Sequence, residues 1–162
     1  MSETYTSYFE SPIGILKLVT DSEAVQEVLF CDKAGESDLN LPKISFELTE
    51  QLTAYFADYL KEFSLRLNPQ GTDFQKRVWL ALGKLTFGKT ATYIDIANSL
   101  GEPKVIRAAA SANGKNPISI IIPCHRVIGK NGNLTGYAGG LNRKRWLLDH
   151  ENRLANEVLE LF

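Results

Sequence analysis

The sequence predicts an α/β N-terminal domain, a small β-sheet plus a helix, followed by a mainly α C-terminal domain of helix-turn-helix (winged-helix-like) type. Alternating, β-branched apolar runs occur near the N-terminus, whereas helical spacing with capping residues recurs in the second half. The chain has 162 residues and is 44% hydrophobic, which is enough to bury the cores of two small domains. We therefore predict domains at 1–70 and 71–162.

Charge and cysteine usage narrow the functional class. The formal net charge is −1, but basic residues greatly outnumber acidic ones between Lys76 and Asp149, which favours a local contact with an anionic partner. The N-terminus has no apolar leader, and no apolar run approaches the roughly 20 residues that span a bilayer. With only two cysteines, far apart in the chain, we expect a cytoplasmic protein with reduced thiols and no membrane partner.

The first 70 residues contain the signals of a sheet and one helix. Residues 15–20 and 25–31 have the β-branched, alternating character of two paired strands. Residues 49–60 place apolar side chains at helical spacing, which predicts an amphipathic helix. Asn, Pro and Gly at 68–71 form a turn signal, and the predicted domain boundary lies there.

The second half has the signals of a helix-turn-helix. Thr72 or Asp73 can cap a first helix, and two short helices are expected at 92–100 and 104–113, separated by Gly101. Two short helices joined by a tight glycine-containing turn are typical of helix-turn-helix motifs. Many helical hairpins that bind nothing have the same pattern, so the motif alone leaves DNA binding open.

The second of these short helices is unusual for a DNA reader. Arg107 is followed by small residues, including Ala108, Ala109 and Ser111, where a major-groove reader would offer several long polar side chains. Such a face could approach a narrow groove closely but would distinguish few bases. The same alanines could instead favour the helix and pack internally.

The candidate nucleophile is Cys124. It follows an apolar run at 118–122, predicted to be a buried strand or extended segment, and Pro123, which ends any strand ladder. A buried cysteine is usually inert unless a neighbour stabilises its thiolate. The two histidines, His125 and His150, are rival bases, and His125 would reach the sulfur only through a bend or a water molecule.

Several motifs together resemble one enzyme family. Pro-Cys-His-Arg-Val at 123–127 is preceded by Asn116-Pro117 and followed by Thr-Gly-Tyr-Ala-Gly-Gly at 135–140 and Lys-Arg-Trp-Leu-Leu-Asp-His-Glu at 144–151. Their order and spacing resemble the 6-O-alkylguanine-DNA alkyltransferases, also called methylated-DNA-protein-cysteine methyltransferases, and are most similar to the bacterial constitutive type. The resemblance runs from about residue 74 to residue 151.

The resemblance implies a reaction and a DNA-binding mode. In this family a methyl or larger alkyl group passes irreversibly from 6-O-alkylguanine, or 4-O-alkylthymine, in double-stranded DNA to the cysteine, which corresponds to Cys124. The base is flipped out of the duplex, the arginine matching Arg107 fills the space, and the tyrosine matching Tyr93 crowds the phosphate and donates a hydrogen bond to the guanine. The small side chains Ala108, Ala109 and Ser111 suit the family's approach through the minor groove.

The resemblance also implies a catalytic relay and a substrate pocket. The relay of Glu, His, water and Cys maps to Glu151, His125 and Cys124, with His150 a bystander and Asn116 a hinge. Main-chain groups of Cys124 and Val127 would read the guanine edge, and the loop at Tyr137, Ala138 and Gly139 would cover the pocket. Some members have a serine at the position of Ala138, whose hydroxyl approaches the alkylated oxygen; only the backbone amide remains here.

No cofactor or metal is expected. Cys31 has no second cysteine nearby and is expected to be a core residue of its strand. A thioether is a poor leaving group, so each protein molecule would act once. The protein is expected to be a monomer in the absence of DNA. Three alternatives remain: an alkyltransferase-like protein that binds lesions without transfer, a helix-turn-helix regulator, and a cysteine hydrolase, which would turn over.

Overall fold

The computed structural model describes the backbone of residues 3–160 and the side chains of residues 3–156. The chain divides into two compact units, Met1–Gln70 with Pro117–Ser119, and Gly71–Asn116 with Ile120–Phe162. The predicted domains assigned all of 71–162 to the second domain, but the short segment Pro117–Ser119 belongs to the first unit. None of the helices in the described residues is long and apolar enough to cross a membrane.

The first unit is a three-stranded antiparallel sheet with one helix. Strands β1 (Tyr5–Ser11), β2 (Gly14–Thr20) and β3 (Val25–Cys31) pair in sequence order, and helix α1 spans Lys43–Phe56. The predicted sheet plus helix is confirmed, but β1 was not foreseen. Its buried position is Ser7, a small polar residue, so the strand lacks the apolar alternation that revealed β2 and β3.

Helix α1 lies earlier in the chain than predicted. The prediction of 49–60 was wrong at both ends, since the helix begins after Pro42 and ends at Phe56. The buried face extends back to Ile44, which only the packed structure reveals. After the helix, Asp58 adopts a positive φ of 72°, so the chain turns away before residue 60.

The core of the first unit is apolar, with a few neutral polar groups. Leu16 and Leu18 of β2 and Leu48 of α1 are fully buried. The hydroxyl groups of Thr20 and Ser45, also buried, lie 3.0 Å apart and satisfy each other by a hydrogen bond. The neutral pair therefore adds no charge to this core.

The segment Pro117–Ser119 pairs with β3 through backbone hydrogen bonds at Val28. The Val28 amide donates to the Pro117 carbonyl at 2.9 Å, and the Ser119 amide donates to the Val28 carbonyl at 2.8 Å. Ile118 forms an isolated parallel bridge with Val28. These backbone contacts explain why Pro117–Ser119 belongs to the first unit although it lies late in the sequence.

The second unit is mainly helical. Its elements are α2 (Asp73–Leu82), β4 (Ala91–Thr92), α3 (Tyr93–Ser99), a 3-10 turn (Pro103–Val105), α4 (Ile106–Gly114), a 3-10 turn (Cys124–Arg126), β5 (Val127–Ile128) and α5 (Leu141–Glu160). Strands β4 and β5 pair in parallel. The winged-helix-like detail therefore stays a prediction, because the only sheet in the described part of this unit is that short parallel pair.

Local sequence determines where α2 and α3 begin. Thr72 caps α2 by accepting from the Gln75 amide at 3.1 Å, while the Gln75 side chain accepts from the Thr72 amide at 2.9 Å. Thr92 and Asp95 form the same reciprocal capping box on α3. Gly101 follows α3 with a φ of +80°, which lets the chain turn toward α4.

The predicted strand at 118–122 does not form. Beyond the bridge at Ile118 the segment is a turn, and Ile120 has a φ of 73° that no strand tolerates. Ile118, Ile120 and Ile122 are nevertheless buried, so the apolar run reflects burial of a turn. Cys124 consequently starts a 3-10 turn and does not lie at the exit of a strand.

Each tryptophan of the second unit makes a specific contact, one between two helices and one within a single helix. The indole Nε1 of Trp79 on α2 donates to the Ala112 carbonyl of α4 at 2.9 Å. On α5 the rings of Trp146 and His150 stack with centroids 4.9 Å apart and an interplanar angle of 15°. The rings of His150 and Trp146 thus form a pair along one face of α5.

Candidate active site

Cys124 is buried at the start of a 3-10 turn. It is 4% exposed, and its amide donates to the Ile122 carbonyl at 2.8 Å. Burial raises the pKa of the Cys124 thiol above its usual value, because the thiolate loses hydration. The resting cysteine is therefore biased toward the protonated thiol.

Two neighbours oppose this effect of burial. The Asn116 side chain forms a hydrogen bond with Cys124, and the positive charge of Lys144 lies close; each lowers the pKa of the thiol. Asn116 is itself held, because its Nδ2 donates to the Ile122 carbonyl at 2.7 Å. Lys144 is fully buried, and burial lowers its pKa while Cys124 raises it. The thiolate, once formed, thus has a donor and a cation nearby.

His125 and Glu151 form a buried pair. His125 Nε2 and Glu151 Oε2 are 2.7 Å apart, and the two side chains are 0% and 1% exposed. Burial lowers the pKa of His125; Glu151 raises it, whereas the charges of Arg126 and Lys144 lower it, and the net shift is downward. His125 is therefore held as a neutral imidazole, whose Nδ1 has no hydrogen-bond partner among the described residues.

Arg126 is a buried residue of the site to which the sequence analysis assigned no role. Its Nε donates to Glu151 Oε1 at 2.7 Å and its Nη2 to Glu151 Oε2 at 3.1 Å, while Nη1 donates to the Leu85 carbonyl at 2.7 Å. Burial raises the pKa of Glu151, but the contacts with His125 and Arg126 outweigh it and hold the pKa far below its usual value. The carboxylate is thus ionised throughout the physiological range.

A network of hydrogen bonds joins Tyr93 to the loop at 135–140. The Thr135 hydroxyl donates to the Tyr93 hydroxyl at 3.0 Å, and the Thr135 carbonyl accepts from Lys144 Nζ at 2.6 Å and from Tyr93 at 3.4 Å. Arg143 Nη1 donates to the Gly139 carbonyl at 3.2 Å. Sequence reasoning missed Thr135 and Lys144, although both stand inside the quoted motifs.

The face of α4 that was predicted to meet DNA needs one correction. Arg107, Ala108 and Ser111 are exposed, but Ala109 is 1% exposed. Ala109 and Ala112 are three residues apart and therefore share the inner face of the helix. The side chain of Ala109 faces the core, so the prediction that it contacts DNA is wrong.

The structure brings four of the predicted site residues into two contacting pairs. Asn116 bonds to Cys124, and His125, which follows Cys124 in the chain, contacts Glu151. Val127 is fully buried in the strand that follows. In the loop that was predicted to cover the pocket, Tyr137 and Gly139 are half-buried, and Ala138 is exposed.

Three further predictions concern His150, Cys31 and metal binding. His150 stacks on Trp146, while His125 contacts Glu151. Cys31 was expected in a strand core; it ends β3 half-buried, and its thiol donates to the Lys33 carbonyl at 3.4 Å. Within residues 3–156, no three His, Cys, Asp or Glu side chains are arranged to hold a metal ion.

Comparison with known proteins identifies the family. Residues 73–153 match the model of the 6-O-methylguanine DNA methyltransferase DNA-binding domain. A methylated-DNA-protein-cysteine methyltransferase of Methanosarcina acetivorans is 47% identical over 154 residues, covering 91% of this chain and 97% of its own length. The protein of the same name from Mycobacterium tuberculosis strain H37Rv is 45% identical over 157 residues, covering 94% and 95%.

Solved structures of proteins from the same family are similar to this chain. The crystal structure of Mycobacterium tuberculosis O6-methylguanine methyltransferase superposes with a TM-score of 0.84 at 42% identity, covering 93% of this chain and 94% of that one. A structure of Mycobacterium tuberculosis OGT in complex with DNA gives a TM-score of 0.82 at 44% identity, covering 91% and 92%. With its buried Pro-Cys-His-Arg-Val site, this chain belongs to the methylated-DNA-protein-cysteine methyltransferase family.

Proposed function

We propose that this chain repairs DNA by direct reversal of damage, moving the alkyl group of 6-O-alkylguanine, and of 4-O-alkylthymine, onto its own Cys124. The observation that carries the proposal is the Cys124 thiol, buried beside a neutral His125 that is bound to an ionised Glu151. Such an arrangement is suited to activating a nucleophile away from water. In a member of this family it supports alkyl transfer.

The reaction is a displacement at the alkyl carbon. A bond forms from the Cys124 sulfur to that carbon, and the bond from the carbon to O6 breaks, with its electron pair passing to the purine. The proton lost by the thiol is matched by the proton that the guanine takes up, so the products are guanine and S-alkylcysteine. Because a thioether is a poor leaving group, each protein molecule acts once.

His125 is the proposed base. Its Nε2 lies 2.7 Å from a carboxylate oxygen, and its Nδ1 has no partner within the described residues. A water molecule between Nδ1 and the thiol would carry the proton from sulfur to nitrogen. Asn116 and Lys144 then support the developing thiolate.

The exposed face of α4 is the proposed DNA contact. Arg107 would enter the stack where the alkylated base has flipped out, with the small side chains of Ala108 and Ser111 against the minor groove. Tyr93 would turn from Thr135 toward the phosphate and the purine. Backbone groups of Cys124 and Val127 would read the guanine edge, and the loop over Tyr137 to Gly139 would close the pocket.

The partner is double-stranded DNA that contains an alkylated base, bound by a protein that is monomeric before it meets DNA. We place the reaction in the cytoplasm, since both cysteines are free thiols. The proposal also includes two domains, 1–70 and 71–162, of which the second is winged-helix-like.

The test mixes the protein with excess duplex that carries one 6-O-methylguanine. Intact and peptide mass spectrometry should find one methyl group per molecule, located on Cys124 and never exceeding one. A chain that stays unmodified but still shifts the duplex in a gel would overturn the proposal in favour of a binding-only protein. Release of more than one product per molecule would indicate a cysteine hydrolase.

A further inference from the structure

Arg126 has no role in the proposed relay, yet its side chain makes several polar contacts. Three of its nitrogen atoms donate hydrogen bonds of 2.7, 3.1 and 2.7 Å, two to Glu151 and one to the Leu85 carbonyl. Its guanidinium also lies 5.7 Å from the centre of the Phe87 ring. Arginine presents this planar fork in a fixed geometry, so the carboxylate is held in one orientation.

The contact between Arg126 and Glu151 determines whether the proton between Glu151 and His125 lies on the carboxylate or on the imidazole. Glu151 Oε1 accepts from Arg126, and Oε2 accepts from Arg126 while also lying 2.7 Å from His125 Nε2. A carboxylate engaged by a guanidinium on both oxygens is stabilised as the anion. The proton between Glu151 and His125 therefore stays on Nε2, which leaves the lone pair of the imidazole on Nδ1.

We propose that Arg126 is a positioning residue for alkyl transfer: by holding both oxygens of Glu151 it fixes His125 as a neutral imidazole with its proton on Nε2, so that Nδ1 is ready to accept the thiol proton. The inference rests on the proposed function and extends the relay by one member. Arg126 touches neither the thiol nor, in this role, the DNA.

The charges around His125 act on its pKa in opposite directions. Glu151 on α5 favours the imidazolium, whereas Arg126 on the 3-10 turn and Lys144 on α5 disfavour it, in addition to the effect of burial. Without Arg126 the carboxylate would act on the imidazole with its full charge. His125 would then become protonated at higher pH and would lose the acceptor that the transfer needs.

A structural role alone would have a different signature. Arg126 also ties its turn to the Leu85 carbonyl, which follows α2, so its loss is expected to destabilise the fold. Destabilisation lowers the fraction of folded protein but does not move the ionisation of His125 within the molecules that remain folded. The protonation of His125 therefore separates the two roles.

The first experiment is NMR of the imidazole groups, without substrate. The chain has two histidines, and the resonance that His125→Gln removes belongs to His125. In the unmodified protein, nitrogen shifts should show neutral His125 with the proton on Nε2 at neutral pH. In folded Arg126→Gln the titration midpoint of His125 should rise by about one unit or more. An unchanged midpoint in the folded variant, or a proton on Nδ1 in the unmodified protein, overturns the inference.

The second experiment follows the single-turnover transfer rate against pH. Arg126→Gln should move the acid limb of the profile to higher pH, with about a tenfold loss below the new midpoint and recovery above it. Arg126→Lys, which keeps the charge but not the fork, should lie nearer the unmodified protein. An equal loss at every pH for Arg126→Gln contradicts the inference.

The experiments include a control variant and a substitute for Arg126→Gln. Arg77→Gln is the matched control, because exposed Arg77 on α2 likewise donates to a carbonyl, that of Leu100 at 3.3 Å; its profile should keep the midpoint of the unmodified protein. If Arg126→Gln does not fold, Arg126→Met, which keeps a long side chain but removes the charge, is titrated by NMR instead, and an unshifted His125 overturns the inference. Because the NMR needs no alkylated DNA, failure of the proposed function would be seen separately, in the mass spectrum.

Discussion

The two units differ in what they bury. In the first, the buried polar side chains are uncharged: Ser7, Thr20, Ser45 and Ser119. In the second, the described residues bury His125, Arg126, Lys144 and Glu151 around one thiol. Both cores exclude water, but among the described residues only the second does so around histidine, lysine, arginine and glutamate side chains.

Stability alone does not explain this difference. Removing charges from water costs several kcal/mol per ion, and well-packed apolar residues often replace a buried ion pair without loss of stability. The bidentate contact between Arg126 and Glu151 offsets part of that cost. The charges in the second unit are therefore best explained by chemistry, and the first unit can do without them.

The largest expected effect is on transfer. Cys124→Ala should abolish alkyl transfer completely while leaving DNA binding intact, and should change the free energy of unfolding by only about 1 kcal/mol. Mass spectrometry and a gel-shift titration measure the two properties on the same sample. Cys31→Ala is the control in the first unit and should transfer normally; residual transfer by Cys124→Ala would show that another residue accepts the alkyl group.

The next largest effect is on stability, and one variant in each unit allows the two cores to be compared. Glu151→Ala leaves Arg126 buried and unpaired and should cost about 3–5 kcal/mol of unfolding free energy. Leu48→Ala opens a cavity in the first unit and should cost about 2–5 kcal/mol. Urea unfolding measures both.

Transfer rates then separate these two variants. At equal concentrations of folded protein, Glu151→Ala should be slow and Leu48→Ala should match the unmodified chain. Similar rates for the two would remove Glu151 from the chemistry.

Acidification should weaken the second unit in two steps. His125 has a lowered pKa in the folded state, so its contribution to stability is complete above about 6.5 and is lost as the pH falls below that value. Glu151 also has a lowered pKa, and its contribution is lost below about 4.3. Thermal unfolding between pH 7 and pH 3 follows both steps. His125→Gln should lack the first step, and its persistence there would assign that step to another group.

The smallest effect on stability is expected at the exposed face of α4. Arg107→Ala should change the unfolding free energy by no more than about 0.5 kcal/mol. Repair of duplex should nevertheless slow by about tenfold, since part of the cost of extruding the base is no longer offset. The rate with free 6-O-methylguanine should not change. Equal slowing on both substrates would contradict the flipping role, and Arg66→Ala, an exposed arginine of the first unit, is the control.

Features that depend on neighbouring residues could be predicted from the sequence. The capping boxes at Thr72 and Thr92 lie within four residues, and the turn at Gly101 needs only one. The motif around Cys124 is likewise contiguous, so its resemblance to a family could be seen directly. Local chemistry was therefore enough to predict the two short helices on either side of Gly101 and to single out Cys124, although not the turn in which Cys124 lies.

Features that depend on distant partners could not be predicted. Arg126 meets Glu151 and Leu85 across 25 and 41 residues, so its burial is a property of the fold. The turn at 118–122 is apolar because it is buried, and periodicity cannot separate that from a strand. The inward side chain of Ala109 depends on how α4 rotates against its neighbours, which an alanine-rich stretch leaves undetermined.

The two tryptophans have a consequence for measurement. The chain has two tryptophans, Trp79 and Trp146, and both lie in the second unit. Trp79 donates a hydrogen bond to the Ala112 carbonyl, and Trp146 stacks on His150. Intrinsic indole fluorescence is therefore a local optical signal of the half that carries the thiol, whereas far-ultraviolet circular dichroism sums over both halves. Melting curves that coincide in the two signals would indicate one cooperative block, and curves that separate would show in what order the halves unfold.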